Sequence, residues 1–222
     1  MWRVSSVLAL NGLSQPHKAL DPMYRVRGTA IHAAAEALAE GFTPVVPPEY
    51  QGYVDALRSW YTRESPTIVA IERRIVSRLL KLTGRLDLVV VLDGRVYIVD
   101  VKTGTTFKHY RWQTALYAIL ASEDRGLQDM VHDLGVYDDV TRQFLAHEMG
   151  RAVLYLSPKG TAKWELHDDP QDIYIARSAL ALLTARYESG LLTYTDPEIP
   201  DDDALISHDT NGGTHDDSDP TA

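Results

Sequence analysis

The chain of 222 residues contains no cysteine. That absence removes disulfides, thiolate zinc sites and cysteine-held iron–sulfur clusters together. No run approaches the ~20 apolar residues of a membrane-spanning helix. The first ten residues, Met1 to Leu10, lack the charged-then-apolar layout and small-residue cleavage site of a secretory signal. A cytoplasmic location without membrane contact is the expectation. There is no Gly-x-x-x-x-Gly-Lys-Ser/Thr phosphate loop, so no recognisable ATPase motor. Positive charge is also short, with 22 lysines and arginines against 31 acidic residues and a net charge of −9.

The acidic excess sits at one end. Between Asp196 and Asp219 stand nine acidic residues and no lysine or arginine; taking those nine from 31 leaves 22, which the 22 basic residues balance. The body is formally neutral, so the total does not argue against a polyanionic partner. Residues 196–222, rich in Asp, Gly, Ser, Thr and Pro, read as a disordered acidic tail. Its plain role is solubilising; the sharper alternative is a mimic of DNA. Residues 1–195 are enough for one domain with a full core.

Periodicity and breakers give the element order ααβββαββα. An Ala-rich stretch, Gly28 to Glu40, predicts a helix closed by Gly41 and a proline-containing loop. Glu49 to Glu64 predicts a second, with Tyr53, Leu57 and Trp60 on one face. Strands follow at Ile68–Val76, Leu86–Leu92 and Arg95–Val101, then a helix over Tyr110–Ala121. The polar stretch 122–150 reads as an insertion of helical character. A further hairpin joins Arg151–Leu156 to Ala162–His167, and Asp169-Pro170 begins a last helix that Gly190 ends.

Asp93-Gly94 is a strong hairpin signal, because a two-residue type I′ loop needs φ > 0 at both positions. With that loop, Leu92 faces Arg95, Val89 faces Ile98 and Asp87 faces Asp100. Val89, Val91, Val96 and Ile98 then share one face, and Leu88, Val90, Tyr97 and Val99 the other. Strands apolar on both faces belong in the middle of a covered sheet. Directly opposed residues have Cβ atoms about 5 Å apart, and like charges there repel; a cation between them removes the repulsion. Lys102 lies two residues beyond Asp100 and leaves the same face. An Asp-x-Lys triplet alone is close to chance. Two aspartates in register on apolar strands, with a lysine in reach, predict a metal-dependent phosphoryl-transfer site, since buried carboxylates are costly unless paired or metal-bound. A structural Asp–Lys ion pair is the other reading.

Four elements in order resemble the PD-(D/E)XK nucleases, in particular their RecB-like exonuclease branch. Arg27-Gly28-Thr29-Ala30-Ile31-His32 is similar to the branch's helical Gly-x-x-x-His element, and Gly84-Arg85-Leu86-Asp87 to its Gly-x-x-Asp. Val99-Asp100-Val101-Lys102-Thr103-Gly104 resembles the core Asp-x-Lys-Thr-Gly, and Gln113-Thr114-Ala115-Leu116-Tyr117 the following Gln-x-x-x-Tyr. The resemblance implies a restriction-endonuclease-like α/β core, a central mixed sheet flanked by helices. It implies Asp87, Asp100 and Lys102 as catalytic residues, and His32, Asp87, Asp100 and the Val101 carbonyl as metal ligands. Outside the series, His32 reads as a helix-surface or core histidine.

Carboxylates with an imidazole suit Mg²⁺ or Mn²⁺, the latter tolerating histidine better. The resemblance places Gln113 and Tyr117 beside the scissile strand, and the absence of cysteine excludes the branch's iron–sulfur subtype. Glu72, in the first strand, reads as structural or DNA-proximal. Arg73, Arg74, Arg78, Lys81 and Arg85 lie close together, while Lys108, His109 and Arg111 precede the Gln113 helix with Tyr110 and Trp112 placed to stack on bases. Arg85 and Arg111 are the expected phosphate contacts. The activity implied is hydrolysis of DNA to 5′-phosphates during recombination, repair or replication, by an exonuclease acting on ends or single strands. Alternatives are an endonuclease on the same core and a catalytically silent DNA-binding subunit. A recombination or replication partner protein is a further expectation. Small stand-alone nucleases of this type are often encoded by bacteriophages.

Overall fold

The computed structural model describes residues 1–14, 22–135 and 145–194. The acidic tail and residues 136–144 of the polar insertion lie outside the described residues. The elements are β1 (Trp2–Arg3), α1 (Val4–Leu10), α2 (Pro22–Ala39), α3 (Gln51–Glu64), β2 (Thr67–Ser77), β3 (Leu82–Leu92), β4 (Arg95–Lys102), α4 (Tyr110–Ala121), α5 (Arg125–Asp133), β5 (Gly150–Leu156), β6 (Ala162–Leu166) and α6 (Gln171–Glu188). The sequence pattern locates most of these. It misses β1 and α1, too short for a periodic signal, and it starts β3 four residues late because Leu82 to Arg85 lack alternation.

The six strands form one mixed sheet, antiparallel at β2–β3, β3–β4 and β5–β6 and parallel at β1–β3 and β4–β5. The β3–β4 turn follows the expectation: Asp93 (φ 46) and Gly94 (φ 75) are both left-handed. The ladder runs from Leu92–Arg95 to Leu88–Val99 in the register that loop dictates. Alternation then divides the core in two. Val89, Val91, Val96 and Ile98 pack with α1, α4, α5 and α6 on one side. Leu88, Val90, Val99 and Val101 pack with α2 and α3 on the other. The result is a central sheet covered by helices on both faces.

β3 changes partner along one edge. β4 pairs with residues 88–92 and β1 with Leu82 and Thr83, so Gly84 to Asp87 have no strand partner there among the described residues. Helix α4 closes over this gap at Gly84. A Cβ added at that glycine would lie 2.9 Å from Tyr117, 3.0 Å from Leu120 and 3.1 Å from Val4. Glycine at this place in the Gly-x-x-Asp element therefore serves close approach rather than a turn.

A candidate metal centre at the end of the β3–β4 ladder

The aspartates do not form a further ladder pair. Where the β3–β4 pairing ends, the Asp87 carboxylate takes over the backbone and accepts the Val101 amide at 2.7 Å. Its other oxygen, Oδ1, lies 3.6 Å from His32 Nδ1. His32 reaches it from α2, on a helix face packed against the sheet through Ile31, Ala34 and Ala35. Arg27 ties the same helix to the end of β4, donating from Nη2 to the Thr103 carbonyl at 2.8 Å and from Nε to the Thr103 hydroxyl at 3.2 Å. Its guanidinium also lies over the rings of Tyr24 and Tyr53.

Glu72 joins His32 and Asp87, a placement the sequence reading does not foresee. It sits inside β2, between the Ile71–Leu88 and Arg73–Leu86 pairs, yet its backbone is left-handed (φ 46). A non-glycine residue held in that region mid-strand is uncommon and strained. Glu72 Oε1 lies 2.8 Å from His32 Nδ1. Donor atoms of His32, Glu72 and Asp87 all fall within 4.8 Å of one another. The only signal available in the sequence was an acidic residue in a largely apolar strand; its backbone turn has none.

Asp100 lies one step away, against the lysine. It is 1% exposed, and its Oδ2 makes an ion pair with Lys102 Nζ at 2.7 Å. Its Oδ1 accepts from Gln113 Nε2 at 3.2 Å, and the same amide donates to the Tyr117 hydroxyl at 3.2 Å. Lys102 Nζ also stands 5.1 Å from the centre of the Tyr110 ring. Gln113 and Tyr117 thus share a face of α4, as their spacing requires, and that face meets Asp100.

These groups perturb one another. Burial pushes the Asp87 carboxyl up, Asp100 adds to it, and His32 and Lys102 only partly oppose them; its pKa stands at about 7. Burial alone would lower His32, but Asp87 and the Glu72 hydrogen bond outweigh it and lift the imidazole to about 9. For Lys102 burial also acts downward, and Asp100 and Asp87 more than reverse it, holding the ammonium above the usual lysine range. Asp87 and His32 are thus both shifted upward, Asp87 chiefly by its burial and His32 by the carboxylates of Asp87 and Glu72. Three carboxylates, Glu72, Asp87 and Asp100, face the cations of Lys102 and Arg85, an acidic excess that a divalent cation would offset. The imidazole-plus-carboxylate donors fit Mg²⁺ or Mn²⁺.

The other candidates are placed as follows. Arg85 turns back to Glu72, with Nε 3.3 Å from its carbonyl and 3.4 Å from Oε2. Arg111 is engaged by Asp172 at 2.6 Å and Asp169 at 2.9 Å, beside the buried Arg151. Arg73 pairs with Asp124 and Lys81 with Glu188. Tyr110 is buried and Trp112 is half-buried against the core, which leaves little of the Tyr110 ring for base stacking. Val101 is buried, and its amide is the atom bonded to Asp87.

No helix among the described residues is long and apolar enough to cross a membrane. No curated protein matches the chain. Residues 48–146, which carry Glu72, Asp87, Asp100, Lys102, Gln113 and Tyr117, match the family model of the PD-(D/E)XK nuclease superfamily.

Proposed function

We propose that the protein is a metal-dependent DNA exonuclease that hydrolyses phosphodiester bonds to leave 5′-phosphates, in recombination, repair or replication. The observation that carries this reading is the meeting of His32, Glu72 and Asp87 within 4.8 Å beside the Asp100–Lys102 ion pair. A bound Mg²⁺ or Mn²⁺ would supply Lewis-acid polarisation of the phosphodiester and an activated water. His32, Asp87 and Asp100 would hold it, with the Val101 carbonyl and with Glu72 as an added carboxylate. The Val101 amide fixes the Asp87 carboxylate, and Gln113 fixes that of Asp100, so neither must reorganise on binding. Lys102, kept protonated by its carboxylate neighbours, places a positive charge where a phosphorane builds up negative charge. Tyr117 orients Gln113 and acts through it.

Incubating linear and closed circular DNA with Mg²⁺ or Mn²⁺ tests the proposal. Loss of the linear form alone is expected. Equal cutting of the circle would make the protein an endonuclease on the same residues.

A further inference from the structure

Arg85 holds the wrong partner for a simple phosphate contact. Its guanidinium's only contacts among the described residues run from Nε to Glu72, a hydrogen bond to the carbonyl at 3.3 Å and an ion pair with the carboxylate at 3.4 Å. Both are long beside the ~2.7–2.9 Å of a good charge-assisted bond. Neither terminal amino group of the guanidinium donates a hydrogen bond among the described residues. The Arg85 side chain is 57% exposed while that of Glu72 is 13% exposed. One end of the contact is therefore open to a ligand and the other is closed in.

What lies beyond the open end is a groove of about 460 Å³ between α2 and the β2–β3 pair. Arg25, Gly28, His32 and Glu36 line it along α2, and Glu72 and Arg85 close its sheet side. It leads directly to the His32–Glu72–Asp87 group. An anion entering it meets the arginines Arg25 and Arg85 as well as the carboxylates Glu36 and Glu72, and a planar guanidinium offers a phosphate two parallel donors.

We propose that Arg85 is a positioning residue that clamps Glu72 in the DNA-free protein and passes to a DNA phosphate when substrate enters this groove. The inference rests on the nuclease reading above. In the free protein Glu72 is shared: Oε1 faces His32 and Oε2 faces Arg85. A phosphate that forms shorter, paired bonds with the guanidinium draws it from Oε2, and the whole carboxylate is then left to the ion. DNA and metal thus strengthen each other's binding, reciprocally, as any coupling of two ligands must.

The test is Mn²⁺ titration of the full chain by calorimetry, with and without thymidine 5′-monophosphate. Arg85→Ala removes a competing positive charge, so it is expected to bind Mn²⁺ more tightly than wild type without nucleotide, on the order of tenfold at water-like screening. The nucleotide is expected to tighten Mn²⁺ binding in wild type and to do so much less in Arg85→Ala. Arg85→Lys keeps the charge but not the paired donors, so its Mn²⁺ affinity stays near wild type while the nucleotide effect falls. Weaker or unchanged Mn²⁺ binding by Arg85→Ala, or full coupling in Arg85→Lys, would overturn the clamp. If wild type itself bound no Mn²⁺, the metal-dependent reading would fall first and the clamp with it.

Discussion

Replacing Lys102 by alanine separates the two things its ammonium does. In the metal-free protein it neutralises Asp100, which is 1% exposed and 2.7 Å away. Removing one partner of a buried ion pair costs about 3–5 kcal/mol. Lys102 is 22% exposed, so water reaches part of the gap and the lower end, about 3 kcal/mol, applies. For a protein of this size each kcal/mol moves Tm by roughly 2–4 °C. Metal-free Lys102→Ala is therefore expected to melt about 6–12 °C below wild type. A divalent cation supplies the missing positive charge, so saturating Mn²⁺ should raise the variant's Tm by more than it raises that of wild type. Lys102→Met keeps the aliphatic stem and controls for lost packing. Differential scanning fluorimetry with and without Mn²⁺ reads both effects, and cleavage of linear DNA should be lost while DNA binding persists. A metal-free Tm within about 2 °C of wild type, with the same Mn²⁺ response, would refute the shared-carboxylate argument. Retained turnover would remove Lys102 from the chemistry.

Metal binding should also release protons. In the metal-free protein Asp87 and His32 stand at about 7 and 9, above their ordinary 3.8 and 6.5. Because both are raised, their protonation favours the metal-free fold; that stability is complete below the ordinary values and lost as pH rises through about 7 and then about 9. Apparent Mn²⁺ affinity should thus climb up to about tenfold per pH unit between the two values and more steeply below the first; calorimetry showing a flat affinity from pH 6 to 8 would contradict this. Glu72→Gln, which removes one of three carboxylates, is expected to weaken Mn²⁺ binding by about 10–100-fold with little change in Tm, and an unchanged affinity would take Glu72 out of the ion's reach. Gly84→Ala puts a Cβ 2.9 Å from Tyr117 and 3.0 Å from Leu120. Overpacking of that kind costs about 1–3 kcal/mol, so a Tm drop of roughly 2–12 °C is expected, and an unaltered Tm would mean α4 moves away freely.

What the sequence determined by itself is what neighbouring residues decide together. Asp93-Gly94 admits one tight loop; the loop sets the β3–β4 register, and the register fixes which valines face which helix layer. Four-residue spacing puts Gln113 and Tyr117 on one face of α4 for the same local reason. The tertiary structure alone decided who meets whom across long separations. Glu72 reaches His32, forty residues away, from a backbone turned left-handed inside a strand, a conformation its residue type does not mark. Arg85 and Arg111 look like open phosphate contacts in sequence, and each is drawn to a carboxylate brought near by folding. The opposed aspartates changed most. Local geometry places them side by side, but the ladder stops one pair short, and the unpaired Val101 amide takes the Asp87 carboxylate. Asp87 thereby faces His32 while Asp100 keeps Lys102. Backbone pairing is a local quantity that a turn can set, whereas partners for charged side chains depend on which distant elements the core packs together.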